Sequence, residues 1–226
     1  KNRVFSMFSA LFFLRRALRF EVRVRASNRM SMVRRAWRHG IAGTALLAAC
    51  TLPAWATVDI EGVHFDDAAR LAGRELPLNG TGLRSVFVIK GYVAGLYLPE
   101  RAKNAALILA MKGPKRLQIH PLRDVGADTF IRALNDGIHH NQTEIQLQRL
   151  SDRLTQLEDA MRQIGSTRRG DTINFDYTPD AGTTVSINGV ARGKPIPGED
   201  FYQAVLSIFI GNNPVDRDLK SGLLGS

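Results

Sequence analysis

The sequence predicts a single α+β domain in which a mainly antiparallel sheet carries helices on one face. Short segments of alternating apolar and polar residues, typical of half-buried strands, come first along the chain. A long amphipathic helix over residues 143–164 follows, and a hairpin pattern and one more helix come after it. With 226 residues and 44% hydrophobic content, the chain is long enough for one domain with its own core.

The charge of the chain is concentrated before residue 57. Residues 1–56 contain 11 of the 31 Lys and Arg residues but only one of the 21 acidic residues. The formal net charge of +10 therefore belongs to this segment, and residues 57–226 carry no net charge. Because a basic leader says nothing about the partner of a folded domain, the sequence predicts no nucleic-acid binding.

Residues 30–56 have the organisation of a secretory signal peptide. Three arginines precede an apolar stretch over residues 40–52, and Ala54-Trp55-Ala56 provides a small-x-small cleavage site. An apolar stretch of about 13 residues is shorter than the roughly 20 that span a bilayer, which argues against a membrane anchor. We therefore expect cleavage after Ala56, a periplasmic domain over residues 57–226, and an upstream or disordered extension over residues 1–29.

The only cysteine of the chain, Cys50, lies in Leu47-Ala48-Ala49-Cys50, which is similar to a bacterial lipoprotein box. Lipidation at Cys50 is the alternative to cleavage after Ala56. Membrane association is accordingly expected only through the leader or a lipidated Cys50. In either case the folded domain has no disulfide and no thiol chemistry.

The domain is predicted to begin with a strand over residues 57–65, in which Val58 and Ile60 alternate with charged residues. Gly62 within it indicates a bulge. Residues 66–74 are predicted as a short connector to the next strand.

The next stretch, residues 78–98, combines glycines with a long apolar run. Asn79, Gly80 and Gly82 predict a turn, because glycine adopts positive φ without steric cost. The Val, Phe, Ile, Tyr and Leu residues that follow favour a strand. A strand over residues 84–98 would extend about 50 Å at roughly 3.3 Å per residue, so we expect a break in it.

Three polar side chains, those of Arg84, Lys90 and Tyr92, interrupt this apolar run. Side chains two residues apart share one face of a strand, so the three are predicted to point the same way. The expected break lies near Gly91, and the shared face holds only if the break preserves the alternation. Lys90 is interpreted as an edge or surface residue.

The rest of the chain alternates between helical and strand patterns. A short helix is predicted over residues 105–111, a strand over 115–122, helices over 126–140 and 143–164, a hairpin of strands over 170–177 and 183–187, and a helix over 199–210. The leucine stripe of residues 143–164 suits either the core or a partner-binding seam. With about three heptads and a sheet available to cover it, we interpret it as core-facing.

The common catalytic and metal-binding motifs are missing from the sequence. No cluster of His, Cys and carboxylates has metal-ligand spacing, and no nucleophile elbow, P-loop or dinucleotide-binding fingerprint occurs. The sequence therefore predicts no metal, no cofactor and no catalytic residue. Composition alone favours structural roles for Arg84, as a surface ion pair, and for Tyr92, as a core ring.

Four segments carry a resemblance to a known family: LNGTGLR, IKGYVAGLYLP, GADTFIRALNDGI and IPGEDFYQAVLSIFIGNNPVDRDLKSGLL. Together they resemble the chalcone isomerase-like family, especially its exported bacterial members, over about residues 58–224. The resemblance implies an open-faced, mainly antiparallel β-sheet with a layer of helices on one face and a ligand cleft between them.

The resemblance argues against catalysis. The plant enzymes of the family use an arginine, a threonine, a tyrosine and an asparagine. Arg84 matches the arginine, but the other three positions fall on Tyr92, on Phe130 and near Gly137. Loss of the phenolic donor and the amide removes most of the oriented electrostatics of such a reaction, so isomerase activity is not expected.

The fatty-acid-binding branch of the family retains the arginine and has a tyrosine at the strand position, and Arg84 and Tyr92 match both. The resemblance thus implies a non-catalytic periplasmic protein that binds a fatty acid or similar amphipathic carboxylate through Arg84, Tyr92 and Phe130. An isomerase or lyase acting on an unknown small molecule, and a structural domain of the cell envelope with a filled cleft, remain as alternatives.

Overall fold

The computed structural model describes residues 57–226. The predictions for the leader, including cleavage after Ala56 and lipidation at Cys50, lie outside these residues. Within them, no helix is both long and apolar enough to cross a membrane.

The domain is built on a seven-stranded sheet in which the strands follow one another in chain order and every neighbouring pair is antiparallel. Its strands are β3 (Ala68–Leu71), β4 (Arg74–Val86), β5 (Ile89–Tyr97), β6 (Lys115–Pro121), β7 (Ile173–Thr178), β8 (Gly182–Ile187) and β9 (Val190–Ile196), and a separate hairpin pairs β1 (Thr57–Ile60) with β2 (Val63–Asp66). The predicted α+β class with a mainly antiparallel sheet is confirmed.

In the described part of the chain, residues 57–226, five helices accompany the sheet: α1 (Ala105–Ala110), α2 (Ala127–His139), α3 (Glu144–Ile164), α4 (Glu199–Ile210) and α5 (Arg217–Leu223). Helix α3 begins with a capping box, in which Thr143 accepts from the backbone N–H of Gln146 and the Gln146 side chain accepts from the Thr143 backbone N–H. It ends at Gly165, which has a φ of 74° that favours glycine. The stripe of α3 is core-facing, since Leu147, Leu150, Leu157 and Met161 are buried.

The two faces of the sheet have different covers, and β5 shows both. Its even-numbered residues Tyr92, Ala94 and Leu96 pack into the main core beneath the helices. Its odd-numbered residues Val93 and Tyr97 instead form a second cluster with Phe65 of the β1–β2 hairpin. Gly95 lies under this hairpin, since a Cβ there would approach Phe65 to 2.7 Å.

Strand β6 repeats this alternation. Leu117 and Ile119 are buried toward the helices, while Arg116 and Gln118 lie on the other face. Arg116 pairs with Asp176 at 2.6 Å, and Gln118 donates to Asn174 at 3.1 Å. The helix layer therefore occupies one face of the sheet, as expected.

Two predictions for glycine-containing segments differ from the structure. Glu61 and Gly62, both at positive φ, form the two-residue turn between β1 and β2, so Gly62 closes a hairpin where a bulge was predicted. Asn79, Gly80 and Gly82 lie inside β4, and the turn predicted for them was wrong. A Cβ at Gly80 would overlap the carbonyl oxygen of Gly222, so this glycine serves the close approach of α5.

The run of residues 84–98 is not one strand. The chain reverses at Phe87 and Val88, between the paired residues Val86 and Ile89. Phe87 has a φ of 54°, the positive value that the first turn residue of a type II′ hairpin requires and that glycine usually provides. The apolar sequence concealed this turn, because its residues have strand preference.

Three elements were not predicted. Residues 66–74, predicted as a connector, contain β3, and no element was predicted for the residues that form β9 and α5. Most residues of β9 are exposed, and Gly193 and Pro195 interrupt its strand pattern.

Candidate functional site

A cleft of about 590 Å³ separates the sheet from helices α2 and α4, a size within the roughly 300–1,000 Å³ of small-molecule sites. Its floor is formed by side chains of β4 to β7, its roof by α2 and the last turn of α4, and its remaining wall by the loop after β6. The lining residues are Arg84, Val86, Ile89, Gly91, Tyr92, Ile119, Pro121, Arg123, Asp124, Val125, Gly126, Thr129, Phe130, Ala133, Leu134, Thr167, Ile173, Ile208, Phe209 and Val215. Most of these side chains are apolar, so the few polar groups determine what the cleft accepts.

Arg84 and Tyr92 lie directly opposite each other on β4 and β5. Directly opposed residues of an antiparallel pair have Cβ atoms about 4.5–5.5 Å apart, so both side chains enter the cleft side by side. Both are half-buried. Within residues 57–226 the Arg84 guanidinium has no ion-pair partner, and the described side-chain hydrogen bonds include neither its nitrogens nor the Tyr92 hydroxyl. The cleft thus offers a cation without a direct ion pair and a phenol in mainly apolar surroundings.

The Tyr92 phenol is held in its neutral form. Burial raises the pKa of Tyr92 well above its ordinary value; the positive charge of Arg84 acts to lower this pKa, and the negative charge of Asp216 acts to raise it. Burial dominates because a phenolate loses more hydration than a phenol on leaving water. Tyr92 is therefore a hydrogen-bond donor throughout the physiological pH range.

Asp216 is a neighbour of this site that sequence reasoning did not single out. Its Oδ1 accepts from the backbone N–H groups of Asp218 and Leu219, both at 2.9 Å, and so caps α5. Its Oδ2 accepts from the backbone N–H of Ser85 at 3.4 Å. An acidic residue followed by a helical segment was the available signal. Asp216 ties the start of α5 to the strand that carries Arg84.

The third predicted site residue, Phe130, lies on α2 and lines the same cleft as Arg84 and Tyr92. Its phenyl ring supplies apolar surface and no hydroxyl. Gly137, in the last turn of α2, lies against α4, where an added Cβ would approach Ile208 Cγ2 to 2.6 Å. A side chain at Gly137, and so an amide, would require the Ile208 side chain to move.

Lys90 does not share the face of Arg84 and Tyr92, and the parity prediction was wrong for it. Arg84 pairs with Tyr92 but Ser85 pairs with Lys90, which leaves Gly91 as an extra residue and shifts the register. Lys90 instead donates to Glu61 in the β1–β2 turn at 2.6 Å. Its interpretation as a surface residue agrees with its exposure.

A second hollow, of about 670 Å³, lies between α1, α4 and the loop that joins α2 to α3. Its polar groups are largely bonded to one another. The Asn141 amide donates to the carbonyl oxygens of Gly137 and Asn213 and accepts from the Asn213 backbone N–H, and Gln142 donates to Ser207. It is the larger hollow, but its satisfied amides make it a weaker candidate than the cleft. No group of three His, Cys, Asp or Glu residues in the described part of the chain is placed to hold a metal ion.

Comparison with known proteins bears on this fold and its cleft. No curated protein sequence matches the chain. The crystal structure of an Arabidopsis thaliana fatty-acid binding protein matches with a TM-score of 0.58, covering 75% of this chain and 96% of that chain at 15% sequence identity. At that identity the match shows a shared fold. The family model described as chalcone isomerase-like matches residues 57–225, nearly all of the described domain. This chain belongs to the chalcone isomerase-like family.

Proposed function

We propose that residues 57–226 form a non-catalytic binding domain that holds a fatty acid, or a similar amphipathic carboxylate, in the cleft between sheet and helices. One observation carries this proposal: Arg84 and Tyr92 are paired across β4 and β5 in a mainly apolar cleft, and within residues 57–226 the guanidinium forms no direct ion pair. A half-buried cation without a direct counter-ion has lost part of its hydration, and a ligand carboxylate offsets that loss.

The chemistry of the two groups suits a carboxylate. The guanidinium presents two parallel N–H donors to the two carboxylate oxygens, and charge-assisted hydrogen bonds of this kind are among the stronger ones in proteins. The neutral Tyr92 hydroxyl adds a third donor from the neighbouring strand. Apolar side chains such as those of Ile119, Phe130 and Ile208 line the rest of the cleft and would cover an acyl chain.

The comparisons support this function at the level of the family. The Arabidopsis protein that shares the fold is described as a fatty-acid binding protein. Because its sequence is only 15% identical, the ligand is transferred here as a proposal that rests on Arg84 and Tyr92.

The geometry disfavours both alternatives. Phe130 has no hydroxyl to act as a donor, and an amide at Gly137 would require the Ile208 side chain to move, so an isomerase of the plant type lacks its oriented donors. A structural domain with a filled cleft would place large side chains beside Arg84, whereas about 590 Å³ is open there.

A periplasmic location remains part of the proposal and rests on the leader. Residues 30–56 have the organisation of a signal peptide, and cleavage after Ala56 would release the domain at Thr57. Amino-terminal sequencing and mass analysis of protein from a periplasmic fraction would separate a Thr57 start from a lipidated Cys50.

Ligand binding is tested by calorimetry with delipidated protein and a series of fatty acids that differ in chain length. We expect saturable binding that weakens about tenfold or more in Arg84→Gln, since a hydrogen bond to a charged group contributes about 1.5–3 kcal/mol. Arg101→Gln is the matched control, because Arg101 is exposed and lies outside the cleft.

A second ligand sharpens the test. A fatty alcohol of the same chain length keeps the apolar contacts but cannot pair with a guanidinium, so Arg84→Gln should leave its weaker binding nearly unchanged. Equal losses for acid and alcohol would mean that Arg84 only shapes the cleft. Undiminished acid binding by Arg84→Gln would overturn the carboxylate assignment.

A further inference from the structure

The β4–β5 hairpin ends in an exposed apolar tip, formed by Val86, Phe87, Val88 and Ile89. The side chains of Phe87 and Val88 are 97% and 93% exposed, and those of Val86 and Ile89 are 45% and 51% exposed. Single exposed apolar residues are ordinary, but four in succession at a protruding turn form a contiguous patch that marks an interaction site.

The conformation of the tip adds to this observation. Phe87 has a φ of 54°, in a region where glycine or asparagine is the usual residue of a hairpin turn. A bulky residue there is strained, and its side chain gains no packing within residues 57–226. Packing within the domain therefore does not explain why a phenylalanine occupies position 87. Burial of its ring in an apolar environment outside the domain does.

The tip lies next to the cleft. Val86 and Ile89 line the cleft together with Arg84 and Tyr92, whereas Phe87 and Val88 lie beyond them and do not line it. A surface that contacts Phe87 and Val88 therefore lies next to the end of the cleft that contains Arg84 and Tyr92.

Basic side chains surround this end of the domain. Arg123 lines the cleft, and the backbone N–H of Leu122 donates to the Gly91 carbonyl oxygen at 2.9 Å, which places Arg123 beside the hairpin. Arg168 and Arg169 are brought to the same end because the Arg169 backbone N–H donates to Asp124 Oδ1 at 3.0 Å.

Two carboxylates, those of Asp124 and Asp171, lie at this end beside the arginines, where they also hold its loops. Asp124 accepts from the backbone of Arg169 and Asp171 accepts from the backbone of Arg168, while the Lys90 ammonium is paired with Glu61. Arg123, Arg168 and Arg169 are exposed, and none has an ion-pair partner in the described domain. An apolar tip flanked by three exposed arginines without direct ion pairs is complementary to a bilayer surface with anionic headgroups.

We propose that the tip Val86–Ile89 inserts into the interfacial region of an anionic lipid bilayer, with Arg123, Arg168 and Arg169 facing the headgroups, and so places the cleft at the membrane surface. A protein partner fits the tip less well, because a stable interface buries about 800 Å² on each side and the patch is a narrow protrusion. This site adds to the membrane association that was predicted only for the leader. Its use in loading or release of an acyl ligand rests on the proposed function.

Tryptophan fluorescence tests insertion in the full chain. The two native tryptophans, Trp37 and Trp55, lie in the leader, so the background carries Trp37→Phe and Trp55→Phe. Into it we introduce Phe87→Trp at the tip or Leu107→Trp on α1, where the side chain is 64% exposed and does not line the cleft. Vesicles contain phosphatidylglycerol, phosphatidylcholine and a brominated lipid that quenches tryptophan on contact.

We expect the tryptophan at position 87 to be quenched strongly and the one at position 107 not to be, even where the leader tethers the chain. The double variant Phe87→Ser with Val88→Ser should reduce vesicle binding about tenfold or more relative to the same chain with Leu107→Ser. Replacement of phosphatidylglycerol by phosphatidylcholine, or high salt, should weaken binding of the unaltered chain. Equal quenching at the two positions would overturn the proposal, because the leader tethers both positions alike.

The outcomes separate this inference from the proposed function. The double variant should bind fatty acid in solution as the unaltered chain does, because Phe87 and Val88 do not line the cleft. Insertion of the tip without any fatty-acid binding would refute the proposed ligand alone. Fatty-acid binding that depends on Arg84, with no insertion of the tip, would refute the membrane site alone.

Discussion

The strand pair β4–β5 is closed at one end and open at the other. At the closed end, Gly82 allows α5 to lie directly on the strand, and a Cβ there would approach the Leu219 carbonyl oxygen to 2.6 Å. At the open end, Arg84 and Tyr92 project from the same face and border a cleft of about 590 Å³. The backbone arrangement is shared, so residue size and polarity decide where a helix packs and where space remains for a ligand.

The closed end should be the more sensitive to added volume. A Cβ at Gly80 would overlap the Gly222 carbonyl oxygen, which is backbone and cannot rotate away. We expect Gly80→Ala to lower the free energy of unfolding by about 3 kcal/mol or more, measured by urea denaturation, since overpacking commonly costs about 1–3 kcal/mol.

Gly126→Ala is the control for that substitution. Gly126 has an ordinary φ of −69° and nothing within 4 Å of an added Cβ. Its cost should stay below about 1 kcal/mol, as expected for a helix N-cap position. A similar loss of stability in both variants would show that α5 does not pack against the glycines of β4.

Tyr97 and Tyr92 of β5 lie at the two ends of the strand pair, so their pKa values can be compared. Burial raises the pKa of Tyr97, near the closed end, to about 12, and the charge of Asp66 adds to the shift; burial raises the pKa of Tyr92, at the open end, further still. The pKa values of Tyr177 and Tyr202 are raised as well, again chiefly by burial. Because the chain has four tyrosines, the folded protein should show little phenolate absorbance at pH 10, where free tyrosine is half ionised.

The same shifts determine the alkaline limit of stability. Above a pH of about 10 the unfolded state releases phenolic protons that the folded state retains, so these groups favour unfolding increasingly as pH rises. Their contribution is fully present below pH 10 and is lost as pH rises toward the folded pKa of about 12 for Tyr97. Phenolate that forms near pH 10 in the folded protein and disappears in Tyr92→Phe would show that water reaches the phenol at the open end.

The sequence predicted the elements with strong periodicity and missed those that tertiary contacts define. Helix α3 was correct because its leucines repeat at helical spacing and Gly165 ends it. Helix α5 was missed because its contacts depend on glycines of β4, which the sequence suggested were turn residues. Its own sequence has two buried residues, Leu219 and Leu223, too few for a clear amphipathic pattern.

The candidate site shows the same division. The sequence singled out Arg84 and Tyr92 as polar interruptions of an apolar run, and the family resemblance added Phe130. The direct pairing of Arg84 with Tyr92 depends on a reversal at Phe87 and Val88, residues that local preference assigns to a strand. The exclusion of Lys90 from this face depends on the register shift at Gly91, which no alternation pattern reveals.

Filling the open end should have the smallest effect on stability and a large effect on binding. Ala133 lies on the cleft-facing side of α2 and is exposed, so a larger side chain there enters space that the fold leaves empty. We expect Ala133→Trp to change the free energy of unfolding by less than about 0.5 kcal/mol, as for most surface substitutions. Fatty-acid binding should nevertheless be lost, because the indole occupies the volume that an acyl chain requires.

Thermal unfolding with and without ligand measures both effects in one experiment. A ligand present at 100 times its dissociation constant stabilises the folded state by about 2.7 kcal/mol, and this gain should vanish in Ala133→Trp while the unliganded transition stays in place. Asp136→Trp, at an exposed position on α2 that does not line the cleft, is the matched control and should keep the gain. If Ala133→Trp destabilised the protein as Gly80→Ala is expected to, the open end would be packed as tightly as the closed one and the cleft would not be available to a ligand.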